Sequence, residues 1–339
     1  MENLYALITL TVVIDQFVYI NYFNMIQPTI VVATYNRLDS LQRLLRSLSN
    51  ANYDSFKDVR LIISIDKHEK SEHDILYYVN SFDWPFGELI VKNYNSRLGL
   101  KEHFIICCDY ALQYDSVIFL EDDFVVSSLF YHYAYNAVNF YSEDARVAGV
   151  CLYDLAYNEF ANRKFAPMVD GNNEYFMQLV SWGKIFTKRQ WRDFRDWYNS
   201  KTEINVDRLP RVVQNWSNRS FKKHYLSYLV EVDKYFVFPR MSFITNYGEK
   251  GEHFIRAEAK FQRPLVMSTS DKIEFKFVPF EDSYVRYDVY MELLPNSFKL
   301  FNKKLVDLDF SVDLYGIKPI AKIKSPKLLT SKKVISPLV

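Results

Sequence analysis

Glycine is scarce in this sequence, with eight among 339 residues. Neither a GxGxxG pattern nor a GxxxxGK pattern followed by Ser or Thr occurs. The sequence therefore argues against the common glycine-rich phosphate-binding loops. The net charge is only +1, so no general excess of positive charge indicates a nucleic-acid partner.

Cysteine is also rare, and the three present are Cys107, Cys108 and Cys151. An odd, sparse set gives neither a disulfide framework nor the spacing of a zinc site. Because disulfides are typical of oxidising compartments, their expected absence favours a reducing one. The sequence therefore predicts a cytoplasmic protein.

What the chain does have is a regular alternation of strand-like and helix-like segments from residue 28 onward. Buried-looking strands are PTIVVATY (28–35), VRLIISI (59–65), ELIVK (88–92) and SVIFL (116–120); helices with an apolar face are LDSLQRLLRSL (38–48), SEHDILYYV (71–79) and GLKEHFIICCDYAL (99–112). This order predicts an α/β fold with a mostly parallel, twisted sheet flanked by helices. Ligands of such sheets bind beyond the carboxyl ends of the strands.

Three consecutive acids, Glu121, Asp122 and Asp123, follow the fourth predicted strand and interrupt an apolar stretch. Adjacent carboxylates repel one another unless a positive group offsets them. A divalent cation would do so, since hard cations prefer carboxylate oxygens. Alternation along an extended strand predicts that Glu121 and Asp123 face one side and Asp122 the other. A strand-ending turn with solvated acids is the alternative interpretation.

Several short segments, taken in order, resemble the nucleotide-sugar domain of the GT-A glycosyltransferases. They are TIVVATYNR (29–37), SID (64–66), NSRLGL (95–100) and FLEDD (119–123). Downstream, SWGKIFTKRQW (181–191) and PRMSFITNYGEKGEHF (239–254) resemble a bacterial family of polysaccharide-building transferases related to the N-acetylglucosaminyltransferase I group. The resemblance implies a Rossmann-like GT-A domain over residues 28–255, with a nucleotide-sugar half (28–150) and an acceptor half (151–255).

The resemblance also implies a donor site for a nucleotide-sugar, with a UDP-sugar favoured. Asp66 would contact the base, and Arg97 would face the diphosphate. The implied nucleotide-sugar-binding residues are Thr34, Asn36, Arg37, Asp66, Arg97, Glu121, Asp122, Trp182 and Gly183. Asp123 and His253 would bind a metal ion, Mn²⁺ or Mg²⁺. A surface-loop histidine is the alternative for His253, and core packing is the alternative for Trp182.

The general base is where the resemblance breaks. The family has an acid just before a Trp in a DxW element, but here the matching stretch QNWSNRSF (214–221) has Gln214. Glutamine cannot take a proton at neutral pH. Another acid could serve (Asp207, Asp193 or Asp196), the alignment could be shifted, or the enzyme could be impaired or use a different mechanism. Solvated helix positions are the simpler interpretation of Asp193 and Asp196.

The resemblance implies a metal-dependent, inverting glycosyltransferase that moves a sugar from a nucleotide-sugar to a glycan or lipid-linked glycan, with a role in polysaccharide biosynthesis. The rival is a non-catalytic relative that binds nucleotide-sugar or glycan, and Gln214 favours it. A sugar-nucleotide pyrophosphorylase is a third class. Its usual Gly-rich basic loop after the first strand is missing from TYNRLDS (34–40).

The two ends of the sequence raise the question of membrane contact. Residues 1–27 contain an apolar run (4–20) interrupted by Asp15 and Gln16. Because a charge within a span is costly, a packed or membrane-surface helix is favoured over a transmembrane one. Extra sequence upstream of a start at Met25 is a third option. The extension 256–339 has six lysines and no acid beyond Asp313, which indicates either a solvated tail or peripheral contact with an anionic membrane surface.

Overall fold

The computed structural model describes residues 25–248, 259–268, 274–300, 311–319 and 328–329. Within these ranges no helix has both the length and the apolar character needed to cross a bilayer. The apolar run 4–20, the predicted metal ligand His253 and most of the lysine-rich tail lie outside the described residues.

The described residues form seven α-helices and fifteen short or long strands. The helices are α1 (Leu38–Ser49), α2 (Glu72–Asn80), α3 (Leu100–Tyr114), α4 (Phe130–Tyr141), α5 (Lys188–Asn199), α6 (Arg211–Gln214) and α7 (Phe221–Val232). The strands are β1 (Thr29–Thr34), β2 (Leu61–Ile65), β3 (Leu89–Asn93), β4 (Ser116–Glu121), β5 (Phe124–Val126), β6 (Val147–Cys151), β7 (Tyr157–Asn158), β8 (Arg163–Lys164), β9 (Glu174–Met177), β10 (Lys184–Thr187), β11 (Tyr235–Pro239), β12 (Ile244–Asn246), β13 (Arg286–Tyr287), β14 (Ser311–Val312) and β15 (Leu328–Leu329). Three 3₁₀ helices span Ala259–Phe261, Phe280–Asp282 and Pro295–Leu300.

Nine strands form the central sheet, in the order β13-β9-β11-β6-β10-β4-β1-β2-β3. The pairs β4–β1, β1–β2 and β2–β3 are parallel, as are β11–β6 and β13–β9. Strand β10 runs antiparallel to both β4 and β6, and β11 antiparallel to β9. The predicted α/β fold, with a large and mostly parallel sheet flanked by helices, is confirmed.

The register brings three strand ends to one edge of the sheet. Thr34 of β1 pairs with Ile65 of β2, and Ala33 pairs with Glu121 of β4. The residues that follow these strands are therefore neighbours in space, although they are far apart in the sequence. This is the edge at which parallel sheets bind ligands.

Packing of α1 fixes the segment that follows β1. Leu41, Leu44, Leu45 and Leu48 are fully buried, and burying a leucine side chain stabilises a fold by about 1.5–3 kcal/mol. The carbonyl of Arg37 accepts the first helical hydrogen bond, from the N–H of Leu41 at 3.0 Å. Arg37 therefore stands at the start of a firmly packed helix, at the edge of the sheet.

A second, two-stranded sheet closes the same edge, because β5 pairs antiparallel with β12. The N–H of Tyr247 donates to the carbonyl of Asp123 at 2.9 Å. The turn that carries Asp122 and Asp123 is thus held against residues more than a hundred positions downstream. Further along the chain, β13 of the predicted C-terminal extension adds an edge strand to the central sheet beside β9. The predicted domain boundary at residue 255 stays a prediction.

Candidate functional site

A cavity of about 550 Å³ lies at the strand-end edge of the sheet, and we refer to it as the acidic cavity. It is lined by Ala33, Thr34, Tyr35, Asn36, Arg37, Asp66, Arg97, Leu100, His103, Phe104, Phe119, Glu121, Asp122, Asp123, Trp182 and Asn246. Its volume lies in the range of small-molecule and cofactor sites. Eight of the nine residues predicted to bind a nucleotide-sugar line it, together with the predicted metal ligand Asp123.

Arg37 joins the two aspartates of the acidic cavity. One of its terminal nitrogens contacts Oδ1 of Asp122, and the other donates to Oδ2 of Asp123 at 3.2 Å. Thr34 donates its hydroxyl to the other oxygen of Asp122 at 2.8 Å. The predicted alternation, with Glu121 and Asp123 on one side and Asp122 on the other, is wrong. Strand β4 ends at Glu121, and residues 122–123 form a turn in which period-two alternation no longer holds.

The two aspartates are buried, and their protonation reflects it. Burial raises the pKa of Asp122 to about 7, against the opposing charge of Arg37. Burial and the nearby charge of Glu121 raise the pKa of Asp123, and Arg37 opposes both. Each carboxylate is thus more costly to ionise than in water, and an added cation would make ionisation easier.

Asp66 is buried and bound by three backbone N–H groups. Oδ1 accepts from Lys67 at 2.9 Å and Leu98 at 2.7 Å, and Oδ2 accepts from Gly99 at 3.0 Å. Oδ2 keeps a lone pair with which to accept another donor, so contact with a base stays a prediction. The bonds themselves anchor the loop 97–99, and the side chain of Arg97 lies over the ring of Tyr35, 4.1 Å from its centroid.

Glu121 faces a different partner from the two aspartates. Lys184 of β10 donates to its Oε1 at 3.3 Å, and the lysine side chain is only 3% exposed. The ammonium also lies 5.1–5.5 Å from the ring centroids of Phe104, Phe119 and Phe221. This pair stands at the boundary between the acidic cavity and a second one.

The second cavity, of about 1050 Å³, adjoins the first, and we refer to it as the aromatic cavity. It is lined by Arg97, Leu98, Gly99, Leu100, Lys101, Glu102, Glu121, Tyr153, Leu155, Tyr157, Glu159, Val180, Ser181, Trp182, Lys184, Trp216, Ser217, Arg219, Ser220, Phe221, Lys222 and Phe261. Arg97, Leu100, Glu121 and Trp182 line both cavities. The two spaces therefore share a wall.

Trp182 belongs to that wall, and Gly183 follows it in the chain. The Trp182 ring packs edge-on against Tyr153 and Phe261, with centroids 4.9 and 5.2 Å away. Gly183 has φ +62°, and a Cβ there would lie 2.5 Å from Cδ1 of Ile244 and 2.8 Å from Cβ of Leu152. A glycine is therefore required at 183, although this residue does not itself line either cavity.

The residues considered as a base lie elsewhere. Gln214 uses its side-chain amide to donate to the carbonyl of Leu209 at 2.8 Å. Asp193 on α5 accepts from Lys234 at 2.6 Å. Asp196 and Asp207 are exposed. None of these four described residues lines the acidic or the aromatic cavity, so the structure does not bring them to the predicted donor residues.

The surroundings of Asp123 show whether this residue suits a bound metal ion. Its Oδ1 is buried and has no hydrogen bond of normal geometry within the described residues, although Asn246 is a hydrogen-bonding neighbour that lowers the pKa of the same carboxyl. No group of three His, Cys, Asp or Glu side chains in the described ranges could hold an ion by itself. Asp123 thus fits a cation that takes its other ligands from phosphate and water, which is common for Mg²⁺.

Two site residues were missed in the sequence. His103 of α3 is buried, lines the acidic cavity and lies 2.8 Å from the hydroxyl of Ser64. Lys184 is the buried partner of Glu121. A signal was present for Lys184, since a single lysine begins the apolar strand KIFT (184–187). His103 has none, because one polar residue on a helix is ordinary.

No family model and no curated protein matches the chain. Among solved structures, it is similar to a TarS fragment of S. aureus in complex with UDP-GlcNAc: 14% identity, 68% of this chain, 60% of that chain, TM-score 0.44. It is also similar to GalNAc-T7 with UDP, GalNAc and Mn²⁺ (13% identity, 64% of this chain, 43% of that chain, TM-score 0.42). A third similar structure is the mannosyltransferase PcManGT of Pyrobaculum calidifontis in complex with GDP-Man and Mn²⁺ (13% identity, 53% of this chain, 48% of that chain, TM-score 0.34). The chain spans about 60% of the length of the TarS fragment. At these scores the likenesses do not extend to the activity of this chain.

Proposed function

We propose that this protein is a metal-dependent, inverting glycosyltransferase that moves a sugar from a nucleotide-sugar, with a UDP-sugar favoured, to a glycan or lipid-linked glycan. The observation that carries the proposal is the pair of adjoining cavities. One has the acids and arginines expected around a nucleoside diphosphate, and the other has the aromatic side chains typical of sugar sites.

The charge of the acidic cavity supports a cation between protein and donor. Its lining includes four carboxylates and two guanidiniums, a formal charge of −2. A diphosphate would be repelled by this surface in the absence of a positive ion. Mn²⁺ or Mg²⁺ next to Asp123 would offset both charges and, when bound, would act as a Lewis acid toward the diphosphate leaving group.

The residues of the chain have distinct roles in the proposed reaction. Arg97, on the wall shared by the cavities, would stabilise the negative charge that develops on the leaving diphosphate. Arg37 holds Asp122 and Asp123 in place for donor binding. Trp182 separates donor from acceptor and excludes water from the reacting carbon.

The acceptor hydroxyl needs a carboxylate near both substrates. Glu121 is the carboxylate that lines both cavities among the described residues. It would take the proton of the acceptor hydroxyl as that oxygen attacks the anomeric carbon, and the bond to the diphosphate breaks on the opposite face. A single displacement of this kind inverts the anomeric centre.

A recognition module that binds nucleotide-sugar or glycan without turnover is the second candidate. Gln214, at the position where the resembling family has its base, favours it. Released nucleoside diphosphate, measured with Mn²⁺ and a panel of nucleotide-sugars, separates the two. Turnover of any donor supports the enzyme, whereas binding without release across all donors and acceptors supports the module.

The variant Asp123→Asn tests the donor site. It removes the charge of the buried carboxylate with little change in shape. We expect the metal-dependent affinity for UDP-sugar to fall about tenfold or more, since a charged group contributes about 1.5–3 kcal/mol to a hydrogen bond or ligand contact. Isothermal titration calorimetry with and without Mn²⁺ measures it.

The matched control is Asp83→Asn, at an exposed position that lines neither cavity. It should bind donor like the wild-type protein. Unchanged donor affinity in Asp123→Asn, with the fold intact by circular dichroism, would reject the metal role of Asp123.

A further inference from the structure

The loop between α6 and α7 contributes Trp216, Ser217, Arg219 and Ser220 to the lining of the aromatic cavity. The buried side chain of Lys223 holds this loop in place through hydrogen bonds. Its ammonium donates to the carbonyls of Gln214 and Trp216 at 2.9 and 2.7 Å and to Asn218 Oδ1 at 3.1 Å. Trp216 and Arg219 are therefore presented to the cavity by a fixed backbone.

The cations of the aromatic cavity outnumber its acids, with five against three. Each acid has a lysine partner: Glu121 pairs with Lys184, Glu102 with Lys101 and Glu159 with Lys222. The other two cations that line the cavity are Arg97 and Arg219. The cavity thus has a formal excess of two positive charges.

Arg97 lies on the wall shared with the acidic cavity, where the donor diphosphate is proposed to bind. Arg219 lines only the aromatic cavity, and its guanidinium has no ion-pair partner within the described residues. The charge of Arg219 is therefore available to a ligand. A guanidinium matches the two oxygens of a carboxylate or phosphate group.

We propose that the aromatic cavity binds an acceptor glycan that carries a negative charge, with Arg219 contacting the anionic group and Trp216 contacting a sugar ring. This inference deepens the proposed function and rests on it, since the bound glycan is an acceptor only if the protein transfers a sugar to it. The anionic group has two sources, the carboxylate of a uronic acid or a phosphate on the sugar. Both present oxygens that a guanidinium binds.

Two pairs of probes test the charge preference in the full chain without donor. One pair is p-nitrophenyl β-D-glucuronide and p-nitrophenyl β-D-glucoside, which differ at C6. The other is glucose 6-phosphate and glucose. We expect the charged member of at least one pair to bind about three- to tenfold tighter at low ionic strength, and the preference to shrink as salt is added. The pair that shows it identifies the source of the charge.

Arg219→Ala should remove the preference and leave the affinity for the neutral probe unchanged, and Arg219→Lys should keep part of it. Arg192→Ala, at an exposed position on α5 outside the cavity, is the matched control. Equal binding of charged and neutral probes by the wild-type protein overturns the inference, as does a preference that survives Arg219→Ala.

Donor turnover, measured on the same samples with Mn²⁺ and UDP-sugars, keeps this inference separate from the proposed function. Charge preference without donor turnover leaves the anionic-glycan site standing and rejects the transferase. Donor turnover without charge preference supports the transferase and rejects the anionic-glycan site.

Discussion

The two cavities share a wall but differ in charge. The acidic cavity has a formal charge of −2, and the aromatic cavity one of +2. A cavity of negative charge can take a phosphate-bearing ligand only with an added cation, whereas a cavity of positive charge can take an anion directly. It follows that a ligand that needs an added cation and an anion that binds directly would meet at the shared wall.

The acids of the two cavities are also held in different ways. In the acidic cavity Asp122 and Asp123 share one arginine, and Asp123 keeps a buried oxygen without a normal hydrogen bond. In the aromatic cavity every acid has its own lysine. The first arrangement has capacity for another cation, and the second has none. A metal is therefore expected on one side of the wall alone.

The largest effect should come from Glu121→Gln, at the wall itself. Loss of a general base lowers turnover by about 10²- to 10⁴-fold. Donor affinity should change far less than turnover, because the amide oxygen can still accept from Lys184. Steady-state turnover and calorimetric donor affinity, measured together, separate catalysis from binding.

Glu102→Gln is the control for that variant, since Glu102 lines the aromatic cavity alone. Its turnover should stay within about twofold of the wild-type value, as expected for an exposed charge. Equal turnover in Glu121→Gln and Glu102→Gln would show that Glu121 is not the general base. It would also reject the proposal that the reaction takes place at the shared wall.

Arg37→Ala should have the next largest effect, on stability. It leaves Asp122 and Asp123 buried together without their cation. Breaking a buried pair costs about 3–5 kcal/mol, and the partial exposure of Arg37 reduces this to about 1–3 kcal/mol in the free energy of unfolding. Added Mn²⁺ should raise the Tm of this variant more than that of the wild-type protein.

Arg60→Ala removes an exposed pair with Glu88 and serves as the comparison. It should cost less than about 1 kcal/mol and should not respond to Mn²⁺ beyond the wild-type shift. If both variants lose the same stability and respond alike to the metal, the acidic cavity has no special capacity for a cation.

The acidic cavity was largely predictable from the sequence, and the aromatic cavity was not. Thr34, Asp66 and Glu121 follow or end buried strands, and the topology of a parallel sheet brings such residues to one edge. The direction of Asp122 and Asp123 was not predictable, because a turn sets it. The aromatic cavity draws Tyr153, Trp216 and Phe261 from segments without periodicity, and only the folded chain brings them together. The lack of an acid at Gln214 was visible, but the alternative at Glu121 required the two cavities.

The smallest effect should come from Trp216→Ala, which tests what the aromatic cavity recognises besides charge. Aromatic contacts are worth about 0.5–1.5 kcal/mol beyond their buried area, or about two- to twelvefold in affinity. Contact with a sugar ring does not depend on its charge. The variant should therefore weaken the glucuronide and the glucoside by the same factor, whereas Arg219→Ala weakens the glucuronide alone. Trp216→Phe should restore part of the affinity for the glucuronide and for the glucoside. The affinity of Trp216→Ala for UDP-sugar should equal that of the wild-type protein. Isothermal titration calorimetry measures these affinities. A loss confined to the charged probe would mean that Trp216 acts through Arg219 and that the cavity recognises an anion without recognising a sugar.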